Sequence, residues 1–215
     1  MPVDAKICGL NTEETLAAAV TSGASHIGLM FFPPSPRAIS PERAAELRAL
    51  VPESVQVVAV MVDPDDDLID EIVTKVRPDL LQLHGAETPA RIAEVRNRTG
   101  LPVMKAIKLA TPQDLKAAAA YDGVADFILF DAKAPKTLAN ALPGGNGLSF
   151  DWRMLADYKG VTPWMLSGGL DAGNLAEAVG ISKALSVDTS SGVEDRPGVK
   201  NSDKIKAFLE AASAF

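Results

Sequence analysis

The chain has 215 residues, of which 47% are hydrophobic, 23% charged and 5% aromatic. This balance is typical of a globular protein and excludes a disordered or collagen-like chain. The formal net charge of −7 argues against a general nucleic-acid binder, because such proteins need cationic surface to displace phosphate counterions. No apolar run approaches the length that crosses a bilayer, so we expect no membrane span.

Short apolar runs alternate along the chain with longer amphipathic runs. The apolar runs predict strands at 3–7, 27–31, 55–62, 80–83, 103–107, 127–130, 164–166 and 185–187. The amphipathic runs predict helices at 12–21, 41–50, 68–76, 89–97, 112–120, 152–157, from about 172, and at 203–212. Capping signals precede three of these helices: Asn11 or Thr12, Ser40 before Pro41, and Thr111 before Pro112.

The order of these elements predicts the fold. Buried strands that are each followed by a helix pair in parallel through right-handed crossovers. Eight such units in 215 residues match a small (β/α)8 TIM barrel. A doubly wound open sheet is the alternative, but Cys8-Gly9-Leu10-Asn11 stands where its glycine-rich dinucleotide motif would follow the first strand. Because the composition shows no break, we predict one domain over 1–215.

The functional side chains of such a barrel lie at the carboxyl ends of the strands. Glycine- and serine-rich loops follow the last three predicted strands, at 144–147, 167–169 and 189–192, and we expect a short extra helix at Val193 and Glu194. Glycines expose backbone N–H groups to a ligand, and a helix N-terminus adds partial positive charge. Three such loops on one side of the barrel favour a phosphate site over simple turns.

Single residues at the predicted strand ends allow structural and catalytic interpretations. Cys8, the one cysteine, is by itself more typical of an inert buried thiol than of a base or nucleophile. Asp131 is a cap or turn former, or a general acid in an apolar surround. Arg37, in a proline-rich loop, is a solvated residue or a preoriented partner for a carboxylate. His26 and His84 have no acid partner by spacing, and no closed metal-ligand set can be assembled.

Several motifs at these positions follow one another in a fixed order. They are Lys6-Ile7-Cys8-Gly9-Leu10, Gly28-Leu29-Met30-Phe31, Ser35-Pro36-Arg37, Gln82-Leu83-His84-Gly85, Gly144-Gly145-Asn146-Gly147, Phe150-Asp151-Trp152, Ser167-Gly168-Gly169-Leu170, Val187-Asp188-Thr189-Ser190-Ser191-Gly192-Val193-Glu194 and Pro197-Gly198-Val199-Lys200. Together they resemble the motifs of the phosphoribosylanthranilate isomerase family. Two positions depart from the usual family pattern: Asn146 stands where Thr is common, and Ser167 stands where Ala is common.

The resemblance implies an isomerase of tryptophan biosynthesis, an aromatic amino-acid pathway. The reaction is an Amadori rearrangement of N-(5-phosphoribosyl)anthranilate to 1-(o-carboxyphenylamino)-1-deoxyribulose 5-phosphate. The resemblance also implies Cys8 as the general base, Asp131 as the general acid, and neither a metal nor an organic cofactor. The substrate-binding residues that it implies are Arg37, for the anthranilate carboxylate, and His84, Gly145, Asn146, Gly168, Gly169, Asp188, Ser190, Ser191 and Gly192.

These inferences set the expected partners and the alternatives. We expect a small phosphoribosyl substrate, no nucleic-acid or membrane partner, and a monomer or homodimer. A cytoplasmic location is expected because the chain start lacks a signal-peptide pattern and a lone thiol fits a reducing compartment. One alternative is another phosphosugar barrel, either ribulose-phosphate epimerase, which needs metal-binding His and Asp residues, or the histidine-pathway isomerase, which has Asp in place of Cys8. The other is a barrel that binds a phosphate ligand without turnover.

Overall fold

The structure, a computed structural model, describes residues 3–134, 144–156 and 158–215. Eight strands form a closed barrel in chain order, and neighbouring strands run parallel. They are β1 Asp4–Cys8, β2 His26–Met30, β3 Gln56–Met61, β4 Leu80–Leu83, β5 Val103–Leu109, β6 Phe127–Ala132, β7 Trp164–Leu166 and β8 Ser186–Thr189. The predicted (β/α)8 barrel is therefore confirmed, and the open sheet is excluded because β1 pairs with both β2 and β8.

Helices connect successive strands around the outside of the barrel. They are α1 Glu13–Thr21, α2 Pro41–Arg48, α3 Asp66–Val76, α4 Pro89–Thr99, α5 Pro112–Ala118, α6 Leu175–Ser182 and α7 Ser202–Ser213. The helix predicted at 152–157 is a 3-10 turn, Trp152–Leu155, and position 157 lies outside the described residues. Among the helices of the described ranges, none is long and apolar enough to cross a membrane.

The segment after β8 differs from the prediction. A 3-10 turn covers Ser191–Val193. It is followed by a small antiparallel hairpin of β9 Glu194–Arg196 and β10 Val199–Lys200. The short helix expected at Val193 and Glu194 is therefore present as a 3-10 turn that ends at Val193, and Glu194 belongs to the hairpin instead. The bend between its strands is made by Gly198, whose φ of 82° lies in the region that favours glycine.

Strand residues alternate between the two faces of the barrel wall, as β3 shows. Val57, Ala59 and Met61 belong to the cluster that packs against the helices. Val58 and Val60 point the other way and belong to a separate cluster inside the barrel with Cys8, Leu80, Met104, Ala106, Leu129 and Met165. Both faces are buried, which is why these strands are continuous apolar runs in the sequence. The interior is packed with side chains, so ligands are confined to its open end.

The helix starts follow the capping signals in the sequence. Thr12 rather than Asn11 caps α1, with its hydroxyl accepting from the Thr15 backbone N–H, and Ser40 caps α2 in the same manner. Pro41 occupies the first turn of α2, where a backbone N–H is not needed. Each such cap stabilises its helix by about 1 kcal/mol. These short local signals fix where each helix begins. They therefore also fix where the loop between a strand end and the next helix stops.

Candidate active site

A pocket of about 560 Å³ opens at the carboxyl ends of the barrel strands. It is lined by residues from opposite sides of the barrel, including Cys8 from β1 and Asp131 from β6. The other predicted site residues that line it are Arg37, His84, Gly145, Asn146, Gly168, Gly169, Asp188, Ser190 and Ser191. Gly192 lies beside this wall, where any side chain would collide with the Leu170 carbonyl.

Cys8 ends β1 with a side chain that is only 5% exposed. Its neighbour in register is Gly28, where an added Cβ would lie 2.9 Å from the Cys8 sulfur. Gly28 therefore keeps open the space that the thiol occupies. Burial raises the pKa of the Cys8 thiol above its ordinary value, and the nearby Lys6 ammonium acts in the opposite direction.

A buried ion pair lies directly behind Cys8. Lys6 Nζ donates to Asp188 Oδ1 at 2.8 Å, and both side chains are almost entirely removed from solvent. The second oxygen of Asp188 accepts from Ser167 Oγ, also at 2.8 Å. Asp188 lines the pocket as predicted, but its two oxygens are already bonded to protein donors. The departure from the family pattern at Ser167 thus adds a donor to this carboxylate.

Asp131 belongs to a chain of hydrogen bonds across the pocket floor. Its Oδ2 lies 3.1 Å from His84 Nε2, and its Oδ1 accepts from the Ala132 N–H at 2.8 Å. His84 Nδ1 in turn lies 3.0 Å from Gln82 Nε2. His84 does have an acid partner, therefore, although sequence spacing did not reveal it, because the two residues come from β6 and from the end of β4. No separate role for Gln82 is predicted from the sequence. Gln82 precedes His84 by two residues, and this spacing on a strand indicates that the two side chains share a face.

Arg37 is held rigidly rather than being a solvated loop residue. Its Nε and Nη2 donate to the two carboxylate oxygens of Glu194, each at 2.8 Å, and Nη2 also donates to the Gly145 carbonyl at 3.1 Å. Glu194 accepts a further bond, of 2.8 Å, from Lys200 Nζ. Burial raises the pKa of Glu194, but the hydrogen bond from Arg37 and the charge of Lys200 outweigh it, so the pKa lies below its usual value. The guanidinium is thereby fixed at the pocket wall.

The segment from Gly144 to Leu148 lines the pocket beside His84 and Arg37. A Cβ added at Gly144 would lie 2.7 Å from His84 Nε2, and one at Gly145 would lie 2.6 Å from Arg37 Nη1. At Gly145 the φ of 70° also lies in the region that favours glycine. The end of the sixth predicted strand also predicts a loop at 142–148, of which positions 142 and 143 lie outside the described residues. Gly144 lies on the Asp131 side of the pocket and Gly145 on the Arg37 side.

The last two barrel loops supply the adjoining wall, against Gly147 and Leu148. Gly168 and Gly169 have φ values of 94° and 65°, and a Cβ on Gly168 would lie 2.8 Å from the Ala132 backbone nitrogen. Ser190 Oγ donates to the Cys8 carbonyl at 3.1 Å, and Lys200 Nζ donates to the Ser190 carbonyl at 2.8 Å. These loops present glycine backbone and serine hydroxyls beside a buried cation. Such a surface suits an anion better than an apolar group.

The fold and this pocket define a (β/α)8 barrel enzyme with a thiol and a carboxyl at one mouth. A profile of the family described as N-(5'phosphoribosyl)anthranilate (PRA) isomerase matches residues 5–211. The chain belongs to this family. The activity predicted from the motifs, isomerisation in tryptophan biosynthesis, is confirmed by this membership, and the other phosphosugar barrels are not favoured.

Individual relatives agree over their full lengths. The N-(5'-phosphoribosyl)anthranilate isomerase of Rhodospirillum centenum is 56% identical over 215 residues, which is 100% of both chains. The crystal structure of phosphoribosyl anthranilate isomerase from Thermotoga maritima superposes with a TM-score of 0.87 at 32% identity, covering 99% of this chain and 100% of that one. A phosphoribosyl anthranilate isomerase in complex with reduced 1-(o-carboxyphenylamino)-1-deoxyribulose 5-phosphate gives a TM-score of 0.84 at 31% identity, with the same coverage.

Proposed function

We propose that the whole chain acts as one catalytic domain in which Cys8 is the general base and Asp131 the general acid of the Amadori rearrangement. The observation that carries this proposal is that Cys8 and Asp131, far apart in the sequence, line one pocket with the glycine loops on its wall. A cytoplasmic location accompanies the proposal, since a biosynthetic enzyme that depends on a free thiol needs a reducing compartment. A monomer and a homodimer both fit it, because one chain supplies acid and base.

The first step is the opening of the ribose ring. Asp131 gives a proton to the ring oxygen while the C1–O bond breaks, and the anilino nitrogen supplies the electron pair that forms the iminium. Asp131 is only 5% exposed, so water does not compete for this transfer. The iminium then withdraws electrons from C2 and makes its proton acidic.

Gln82 and His84 support the Asp131 carboxyl from behind. His84 Nε2 lies 3.1 Å from Asp131 Oδ2, and His84 Nδ1 lies 3.0 Å from Gln82 Nε2. These contacts hold the proposed acid in one orientation at the pocket floor.

The second step is proton removal at C2. The Cys8 thiolate takes this proton, the C2–H electrons form the enolamine, and the iminium nitrogen becomes neutral. Tautomerisation of the enolamine gives the ketone. One base and one acid suffice, since the nitrogen of the substrate is the electron acceptor. Each proton transfer contributes about 10²–10⁴-fold to the rate.

The two ends of the substrate are held by different loops of the barrel mouth. The phosphate is placed at the backbone of Gly168 and Gly169 and at Ser190 and Ser191, and the anthranilate carboxylate is placed at Arg37. Contacts at both ends convert binding energy into correct placement of C1 and C2 between sulfur and carboxyl. Glu194 contributes indirectly, because it fixes the plane of the Arg37 guanidinium.

Arg37→Ala is expected to raise KM by about 10–100-fold, the usual consequence of losing one charge-assisted contact, with a smaller effect on kcat. Arg37→Lys is the matched control, because it keeps the charge but loses the fork that Glu194 orients. We expect it to fall between wild type and Arg37→Ala in steady-state KM. Unchanged KM in both variants would place the anthranilate carboxylate elsewhere.

The pH dependence of kcat/KM follows from the buried thiol. The base must be a thiolate, and burial raises the pKa of Cys8. Because the pKa is raised, kcat/KM should still be climbing with pH at the ordinary thiol value of about 8.5. The check is a profile of kcat/KM against pH for purified protein. A plateau reached well below that value would mean that a different base acts.

The activity itself is tested by incubating purified protein with freshly prepared phosphoribosylanthranilate and following the loss of its fluorescence. Enzyme-dependent loss, with stoichiometric formation of the deoxyribulose product, is expected. Binding of the substrate without any loss of fluorescence would indicate a barrel that only holds a phosphate ligand. It would refute the proposed function.

A further inference from the structure

We propose that Lys6 is a positioning residue that stabilises Cys8 as the thiolate from beneath the pocket floor. The inference deepens the proposed function, because it rests on Cys8 acting as the base. Lys6 is completely buried and stands apart from the residues that line the pocket. It therefore acts on the reaction through Cys8 and not through contact with the substrate.

The strand itself places the two side chains together. Lys6 and Cys8 are two residues apart on β1, so they point to the same face of the barrel wall. That face is the interior, since Cys8 packs with the residues inside the barrel. Both reach toward Gly28 on β2: a Cβ added there would lie 2.9 Å from the Cys8 sulfur and 3.2 Å from Lys6 Nζ. Sulfur and ammonium thus face the same small space.

The charge on Lys6 is maintained by its partner on the other neighbouring strand. Lys6 is in register with Asp188 of β8, and their side chains form the 2.8 Å ion pair. Burial lowers the pKa of Lys6, but the charge of Asp188 outweighs this and raises it above its usual value. Lys6 is therefore an ammonium throughout the working pH range. An ammonium has three N–H donors, so Lys6 can donate one to Asp188 and still direct another at an anion on sulfur.

A buried ion pair is weak support for stability, because desolvation of both charges offsets their attraction. Apolar side chains could fill the same volume, as they do in the neighbouring interior positions Val58 and Met104. What apolar side chains cannot supply is a positive charge beside the sulfur. Among the charges that act on the Cys8 thiol, Lys6 is the strongest that lowers its pKa, while Asp188 raises it less. The Lys6–Asp188 pair as a whole therefore lowers the pKa of Cys8 and favours the thiolate.

The test uses the fact that Cys8 is the one cysteine of the chain. Thiolate absorbance near 240 nm and the rate of alkylation by iodoacetamide, both measured against pH without substrate, report on Cys8 alone. The variants are Lys6→Met and the double variant Lys6→Met with Asp188→Asn. The double variant removes both charges and guards against misfolding caused by an unpaired Asp188. Cys8→Ala provides the blank for both signals.

We expect Lys6→Met to move the thiolate titration upward by about one pH unit or more, which is about a tenfold smaller thiolate fraction below the midpoint. The double variant should shift in the same direction by a smaller amount. In both variants kcat/KM should fall at neutral pH and recover as the pH rises, which loss of packing alone would not produce. An unchanged titration in Lys6→Met and in the double variant would overturn the proposal. Wild-type turnover in Cys8→Ala would refute the proposed function instead, while this titration would still be readable.

Discussion

Replacing Cys8 with alanine is expected to lower kcat by about 10³-fold or more, near the upper part of the range for loss of a general base. KM should change by less than about threefold, because the contacts proposed for the phosphate and the carboxylate are made by pocket residues other than Cys8. The substitution removes only the sulfur from a site that is 5% exposed, so the barrel should remain folded. Single-turnover kinetics with the fluorescent substrate measure the chemical step directly.

Cys8→Ser is the matched control for this experiment. Serine keeps the size and a polar atom but has a hydroxyl that does not ionise at accessible pH, so it should be nearly as inactive as alanine. If the sulfur served only to fill space, Cys8→Ser would retain activity. A near-normal kcat in either variant would remove Cys8 from the mechanism.

Asp131→Asn is expected to lower kcat by about 10²–10⁴-fold, because an amide cannot give up a proton to the ring oxygen. Asparagine has the same shape and can still bond to His84 and to the Ala132 N–H, which the carboxylate contacts at 3.1 and 2.8 Å. Substrate affinity should therefore be retained. The measurement is kcat from steady-state turnover together with direct substrate binding to the variant.

A matched control is Asp203→Asn, because the side chain of Asp203 is 92% exposed and lies on α7, away from the pocket. It should behave as wild type in both measurements. Should Asp131→Asn also turn over at the wild-type rate, another group must protonate the ring oxygen. His84, its hydrogen-bond partner, would then be the first residue to examine by substitution.

The fold could be predicted because local signals and tertiary packing agree. The apolar runs are buried on both faces, as Val57 and Val58 show on β3, and caps such as Thr12 and Ser40 mark the helix starts. Positions at strand ends could also be predicted, since all eight strands of a parallel barrel end at one face. Together with the family motifs, this common face predicts that Cys8 and Asp131 line one pocket, as they do.

The pairings between side chains could not be predicted in the same way. Asp131 with His84, Arg37 with Glu194 and Lys6 with Asp188 all join residues from different strands or loops. Such contacts depend on strand register and on loop geometry, which a single sequence does not give. Glu194 is an example. The sequence predicts a short helix at this position, whereas in the structure Glu194 belongs to the hairpin and accepts hydrogen bonds from Arg37.

For Lys6 and Gln82, the sequence does carry a sign of the neighbouring side chain. Lys6 precedes Cys8 by two residues on a predicted strand, and Gln82 precedes His84 by the same interval, so each pair had to share a face. A charged or amide side chain inside an otherwise apolar run is costly to bury without a partner. That cost predicts that each of the two side chains has a polar partner, and the structure shows Asp188 beside Lys6 and His84 beside Gln82.

The arrangement of acid and base is tested most directly by a crystal structure of this protein bound to a reduced, stable form of the deoxyribulose product. The prediction is that C2 of the sugar lies about 3–3.5 Å from the Cys8 sulfur, the distance of a reacting pair. The oxygen derived from the ring should lie beside Asp131, and the phosphate should contact the backbone at Gly168 and Gly169. A sugar bound in the reverse direction, with its phosphate near Arg37 and C2 remote from sulfur, would contradict it.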